Sequence, residues 1–166
     1  MVVNGIDKTH YAPNSNMTRA EFTTALVRAL GLSAASNKSH FEDIRSEEWY
    51  NEYIETAYVY GLLSTDDLDF SPNELITRED AIVMIANAMK YTEIKTSVSS
   101  SEATAINQRY SDLDEASLSA QIAIRTCIKA GIITGRTETT LEPASHITRA
   151  EVAVIIEKLL KKSNLI

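Results

Sequence analysis

An all-α module of repeated helix-loop-helix units is the fold class this sequence predicts, on three observations. A phrase occurs three times: Pro13 to Met17-Thr18-Arg19-Ala20-Glu21, Pro72 to Ile76-Thr77-Arg78-Glu79-Asp80, and Pro143 to Ile147-Thr148-Arg149-Ala150-Glu151, with Pro five residues before Thr each time. A helical apolar stripe follows every copy. A second helical pattern, closed by a Gly, precedes two of them.

The stripes have the same register. They run Phe22, Ala25, Leu26, Ala29, Leu30, then Ala81, Met84, Ile85, Ala88, Met89, then Val152, Ile155, Ile156, Leu159, Leu160. Positions i, i+3, i+4, i+7 and i+8 form one face of an α-helix. Thr18, Thr77 and Thr148 stand just before that pattern, each with an acid three residues on (Glu21, Asp80, Glu151). This spacing predicts a capping box, in which the hydroxyl accepts from an orphan N–H of the first turn. The arginine inside the box, Arg19, Arg78 or Arg149, is not needed by the cap. A cation at the first helical position opposes the helix dipole, so its recurrence has two readings: pairing with a carboxylate of a neighbouring repeat, or an anion site that adds to the dipole.

The upstream helices carry Trp49, Ile54, Ala57, Tyr58 and Gly61 in one copy, and Ser119, Ile124, Cys127, Ile128 and Gly131 at equal offsets in another. The glycines suit the left-handed conformation that follows a helix. Aligning Pro143 on Pro13 puts Gly135 on Gly5 and Ile132-Ile133 on Val2-Val3, so the chain is read as starting halfway through its first repeat. The resulting divisions are a half copy at 1–32, a full copy at 41–91, a polar connector at 92–109 and a full copy at 110–162, gathered around one core. The connector accounts for the unequal Thr spacing, 59 residues and then 71, and is read as a surface excursion with a short helix from Glu102 to Gln108. Ser33 to His40 is a shorter polar link.

The ordered set Phe-x-Asp, Trp six residues later, Ile, Ala, Gly-Leu-Leu or Gly-Ile-Ile, Phe-x-Pro-Asn and Ile-Thr-Arg-Ala-Glu resembles the S-layer homology (SLH) repeat of bacterial surface proteins. The resemblance covers Met1 to about Leu32, about Phe41 to Tyr91 and about Tyr110 to Lys161. It implies a pseudo-threefold module on the extracellular face, at the cell wall or S-layer, that anchors exported proteins noncovalently to secondary cell-wall polysaccharide, often through a pyruvylated sugar. It also implies ligand contacts at Arg19, Arg78 and Arg149, at Asp43 and Trp49, and at Asp112. The third copy departs from the pattern, with Ser119 in the place of the Trp, and the half copy lacks that region. Chemically the set suits a sugar acid: guanidinium takes a carboxylate through two parallel bonds, carboxylates accept from sugar hydroxyls, and an indole packs on C–H faces. Read as residues, Trp49 has the alternative of anchoring its helix in the core, and Asp43 that of capping the helix a few residues on.

Composition bounds the rest. A length of 166 residues with 44% hydrophobic content supports a substantial core. A net charge of −7 opposes nucleic acid and acidic membrane surfaces as partners, and it leaves any recognition of an anionic wall polymer to local arginines. No segment reads as a membrane span or a leader, and an export signal is expected outside this sequence. The single cysteine, Cys127, is read as a small core residue. No cofactor, metal or catalytic constellation is expected: His10, His40 and His146 are scattered, and Asp66-Asp67-Leu68-Asp69 lacks the Gly and spacing of a calcium loop. The alternative function is a protein interaction or assembly module with degenerate grooves. Phe22, Leu26 and Leu30 of the half copy need cover from other repeats, from residues outside the sequence or from another chain, which makes a homo-oligomer, or fusion to other surface-protein domains, part of the expectation.

Overall fold

A computed structural model describes residues 12–35, 40–63 and 67–166. Among them are six α-helices and two 3₁₀ turns and no strand, in accord with the all-α expectation. The helices are α1 (Arg19–Leu30), α2 (Asn51–Val59), α3 (Arg78–Ala88), α4 (Ser100–Arg109), α5 (Leu118–Lys129) and α6 (Arg149–Lys162). The extended pieces in the loops are isolated bridges, Asn16 with Thr148, Thr18 with Leu75 and Thr77 with His146. The alignment of Gly135 and Ile132-Ile133 with Gly5 and Val2-Val3, and the position of His10, involve residues outside those described.

Two compact units result, one from Met1–Ile76 with Ile147–Ile156, the other from Thr77–His146 with Glu157–Ile166. In the first, α1 packs on α2, and Ala20, Phe41, Ile44, Tyr50, Ile54 and Phe70 form a buried cluster with Tyr58 and Leu63 against it. Phe41 and Phe70 meet at 5.3 Å and a tilt of 53°. In the second, α3 packs on α5, with Cys127 Sγ 3.8 Å from Met89 Sδ. The three stripes are buried as read, apart from Ala29 and Leu30, which are half-buried at the end of α1.

The threefold phrase has a physical origin in the first unit. Met17 N–H donates to Ile147 O (3.1 Å), Ile76 N–H to Met17 O (3.0 Å) and Ile147 N–H to Ile76 O (3.3 Å), a closed cycle through the residue that precedes each capping Thr. All three side chains are buried, so their peptide groups must find partners inside the protein, and each finds one in another copy.

The caps form as the spacing predicts. Thr18 Oγ1 accepts from Glu21 N–H while Glu21 Oε2 accepts from Thr18 N–H, and Thr148 and Glu151 repeat the exchange. Thr77 Oγ1 accepts from Asp80 N–H at 3.2 Å. Gly61 and Gly131 take the left-handed conformation at φ 62° and 70°. Gly135 is required for a different reason: a Cβ there would lie 2.5 Å from Tyr110 Cε1 and 2.6 Å from Thr140 O.

Two readings need correction. Trp49 does not belong to the stripe of α2; it precedes the helix and is 59% exposed, because Tyr50, the neighbour on its C-terminal side, takes the inward position. The connector helix is longer than Glu102–Gln108. It runs Ser100–Arg109 because Ser99 and Glu102 form a full capping box, a Ser-x-x-Glu signal present in the sequence but obscured by its run of serines.

Candidate functional site: two acid-clamped loops beside the repeated arginines

Each full copy carries a loop that ends in the repeated Pro, and each loop is held by the early acid of its copy. Phe70 N–H and Ser71 N–H donate to the two carboxylate oxygens of Asp43, at 2.8 and 2.7 Å. In the third copy Leu141 N–H and Glu142 N–H donate to Asp112, at 2.9 and 2.8 Å. The residue before each proline has a positive φ, 57° at Ser71 and 54° at Glu142, with Ala12 at 50° in the half copy. A side chain in that region costs free energy. The carboxylate offsets the cost by fixing two consecutive N–H groups in the turn. Asp43 therefore clamps a loop and does not cap α2, which corrects that alternative; α2 has no side-chain cap.

The loop of each copy turns its carbonyls toward the helix of another copy. Arg19 N–H donates to Glu74 O and Ala20 N–H to Pro72 O; Arg78 N–H and Glu79 N–H do the same to Ser145 O and Pro143 O; Arg149 N–H and Ala150 N–H to Ser15 O and Pro13 O, all at 2.8–3.0 Å. The third N–H of each helix goes to the Thr hydroxyl. The first three donors of all three helices are thus engaged, and the reading of these N-termini as dipolar anion sites is corrected.

The arginines reach beyond their helices. Arg19 Nε donates to Phe70 O at 2.8 Å and its guanidinium lies 4.9 Å from the Phe70 ring centre. Arg78, 4% exposed, donates from an Nη to Thr134 O at 2.7 Å. Arg149, 5% exposed, has Glu21 of the half copy at 4.0 Å, an instance of the neighbouring-carboxylate reading.

In the first unit Arg19 and Asp43 both meet Phe70, and Trp49 lies against Tyr50 of the same buried cluster. Arg19 binds the carbonyl of Phe70 and Asp43 binds its N–H. Tyr50 packs with Phe70 in the same cluster, and Trp49 meets Tyr50 edge to face at 5.2 Å. Burial raises the Tyr50 phenol pKa, with the Glu48 and Asp43 carboxylates adding to the rise, and a hydrogen bond with Asn73 opposes it. Tyr50 was not singled out by sequence reasoning, and Asn73 was read only as the end of the Phe-x-Pro-Asn string and as part of a rejected calcium loop.

The second unit has a hollow of about 380 Å³, lined by Asp112, Glu115, Thr140, Glu142, Pro143 and Ser145 among others. Arg136 pairs with Glu142 at 2.7 Å and also bonds His146 O. Ser119 is exposed, and Glu79 Oε2 accepts from Ser117 N–H at 3.1 Å, a contact sequence reasoning missed. Among the described residues no group of three metal ligands occurs, and no helix is long and apolar enough to cross a membrane.

Comparison with known proteins decides the family. The model of the S-layer homology domain matches residues 2–23, 40–82 and 109–153, more than half of the chain. The chain belongs to the S-layer homology family. That family supplies noncatalytic modules that anchor surface proteins to the cell wall, and it indicates a location at the cell surface. Similar proteins include an amylopullulanase of Thermoanaerobacterium thermosulfurigenes, 36% identical over 98% of this chain and 8% of its own length. The exoglucanase XynX of Acetivibrio thermocellus is 35% identical over 98% of the chain and 14% of its own. An S-layer protein of Bacillus thuringiensis subsp. finitimus is 29% identical over 96% and 19%. The chain therefore spans less than a fifth of the length of these relatives.

Proposed function

We propose that this S-layer homology module binds secondary cell-wall polysaccharide through the surface formed by Arg19, Asp43 and Trp49, taking a sugar that carries a carboxylate such as a pyruvate ketal. The observation that supports the reading is that Arg19 and Asp43 meet at Phe70, while Trp49, 59% exposed, lies against Tyr50 of the cluster that holds Phe70. The half-buried Arg19 guanidinium is preoriented by a carbonyl and a ring, and its planar fork has the geometry that a carboxylate takes. Asp43 has lone pairs beyond the two in use, which suit sugar hydroxyls, and the indole offers an apolar platform for a pyranose. Arg78, Arg149 and Asp112 are buried and are assigned to holding the loops, with direct sugar contact left to the first unit.

Relatives named for enzymes are much longer than this module, so its task in a whole protein would be to localise other domains at the wall. A second reading, a protein assembly module that includes homo-oligomers, is favoured by one observation: Leu118 and Ile122, one turn apart on α5, are 81% and 66% exposed.

The test is co-sedimentation with purified wall polymer before and after chemical removal of pyruvate, for the parent and for Arg19→Ala and Trp49→Ala. Pyruvate-dependent binding, weakened about tenfold or more in both variants while their circular dichroism is unchanged, is the expected result. Equal retention on depyruvylated polymer, or no retention of the parent, would transfer the reading to assembly.

A further inference from the structure

We infer that the second unit holds a further binding site, a small cup between α4 and α5 that takes one uncharged sugar residue through Arg125 and Asp114. The cup has a volume of about 270 Å³. That is below the roughly 300–1,000 Å³ of a pocket for a drug-sized ligand and suits a single ring. Tyr110 and Leu113, both buried, give the lining an apolar part, and Asn107, Asp114, Gln121 and Arg125 give it a polar one. None of these is a side chain of the repeated phrase, so the site is additional to the carboxylate surface of the first unit and independent of it.

Arg125 is half-buried and held in place by its neighbours. Its Nε donates to Asn107 Oδ1 at 2.8 Å and its Nη2 to Gln121 Oε1 at 3.3 Å, while Gln121 Nε2 is itself fixed on Ala116 O at 3.0 Å. A guanidinium has five N–H donors, so among the described residues the Nη1 pair and one Nη2 N–H are left for a ligand. Asp114 stands exposed on the 3₁₀ turn Leu113–Glu115, and among the described residues its carboxylate has no hydrogen-bond or ion-pair partner. A fixed fork of donors and an acceptor-only group in one cup match adjacent hydroxyls, because each hydroxyl both donates and accepts. The two side chains carry opposite unit charges. An anion that gains Arg125 therefore meets Asp114 within the space of one ring, whereas an uncharged ring uses both.

The cup is a property of the third copy and the connector. Aligning Gly131 on Gly61 puts Arg125 on Glu55, and aligning Asp112 on Asp43 puts Asp114 on Arg45. In the second copy Glu55 is 7% exposed and its carboxylate accepts from His40 N–H at 2.9 Å, so the corresponding charge is used inside the protein. In the third copy the inserted α4 supplies Asn107, which holds Arg125 by one N–H and leaves the outer donors open.

The test is amide chemical-shift mapping with methyl glucoside, methyl galactoside, methyl mannoside and methyl N-acetylglucosaminide, against methyl glucuronoside and sulfate. A single ring of a dozen heavy atoms binds with Kd of about 1 mM, too weakly to hold polymer in the co-sedimentation test above. At least one uncharged glycoside should give saturable shifts at residues 107, 114, 121 and 125. Asp114→Ala, whose side chain has no partner in the fold to lose, should weaken this about tenfold with unchanged circular dichroism. Arg125→Lys, which keeps the charge and a donor for Asn107 but loses the fork, should weaken it similarly, and Trp49→Ala should leave it as in the parent. Depyruvylated polymer fragments that shift the same amides assign the sugar to the wall; fragments that do not assign it to another glycan, and the inference stands in both cases. Absence of saturable shifts with every uncharged glycoside at about ten times that Kd, full binding by Asp114→Ala, or tighter binding of glucuronoside or sulfate would overturn it and leave the Arg19 surface untouched.

Discussion

Replacing Asp112 by Ala tests whether the early acid of each repeat is a loop clamp. Asp112 is 9% exposed and receives Leu141 N–H on both oxygens, at 2.9 and 3.0 Å, and Glu142 N–H at 2.8 Å. Truncation strands two main-chain donors, of which the Leu141 N–H is buried. An unsatisfied buried donor costs about 1–3 kcal/mol, and water entering from the adjacent hollow recovers part of that for Glu142, so a loss of about 2–4 kcal/mol is expected. Asp43→Ala strands the equivalent donors, Phe70 N–H and Ser71 N–H, at an exposed carboxylate, where solvent substitutes more readily, and should cost about 1 kcal/mol. The assay is urea denaturation followed by far-ultraviolet circular dichroism, with amide exchange at residues 141 and 142 as the local readout. Unchanged protection of those amides together with a loss below about 0.5 kcal/mol would refute the clamp.

Two further outcomes follow from ionisable groups in the second unit. Burial pushes the Cys127 thiol up to about 12, so at pH 8 a thiol reagent should modify it only as fast as the protein opens, and promptly in urea; rapid labelling of the native protein would contradict its place against Met89. A hydrogen bond from Lys129, with others from Ser99, lowers Glu102 from 4.5 to about 2. Because the folded value lies below the unfolded one, the support it gives α4 is present above about pH 4.5 and disappears as pH falls toward 2. Glu102 is exposed, so carbon-13 titration of its carboxyl should show the low value in dilute buffer and a return toward 4.5 in 1 M salt.

Local signals in the sequence were sufficient for the helices that begin at Thr18, Thr77 and Thr148, because a cap and a 3.6-residue stripe are properties of a dozen neighbouring residues. Ser99-x-x-Glu102 was equally local, but the serines around it obscured which one caps the helix. The order of Phe-x-Asp, Trp and Thr-Arg-Ala-Glu was enough to name Arg19, Asp43 and Trp49 as a group. It did not say that Trp49 would be outside its helix, since Trp49 and Tyr50 are adjacent aromatics and only one can point inward. The family match leaves that choice equally open, since it concerns the order of residues and not their orientation.

Sequence alone determined the all-α class, the repeat register, the caps and the family, since each depends on spacings along one stretch of chain. Tertiary structure decided where the arginines and acids go. Arg19 reaches a carbonyl 51 positions away, and Asp43 binds N–H groups 27 and 28 positions away. Those partners are main-chain atoms, which every residue possesses, so no side-chain pattern marks them in advance. Only a fold that brings one copy's loop against another copy's helix selects which carbonyls and amides the charged groups will meet.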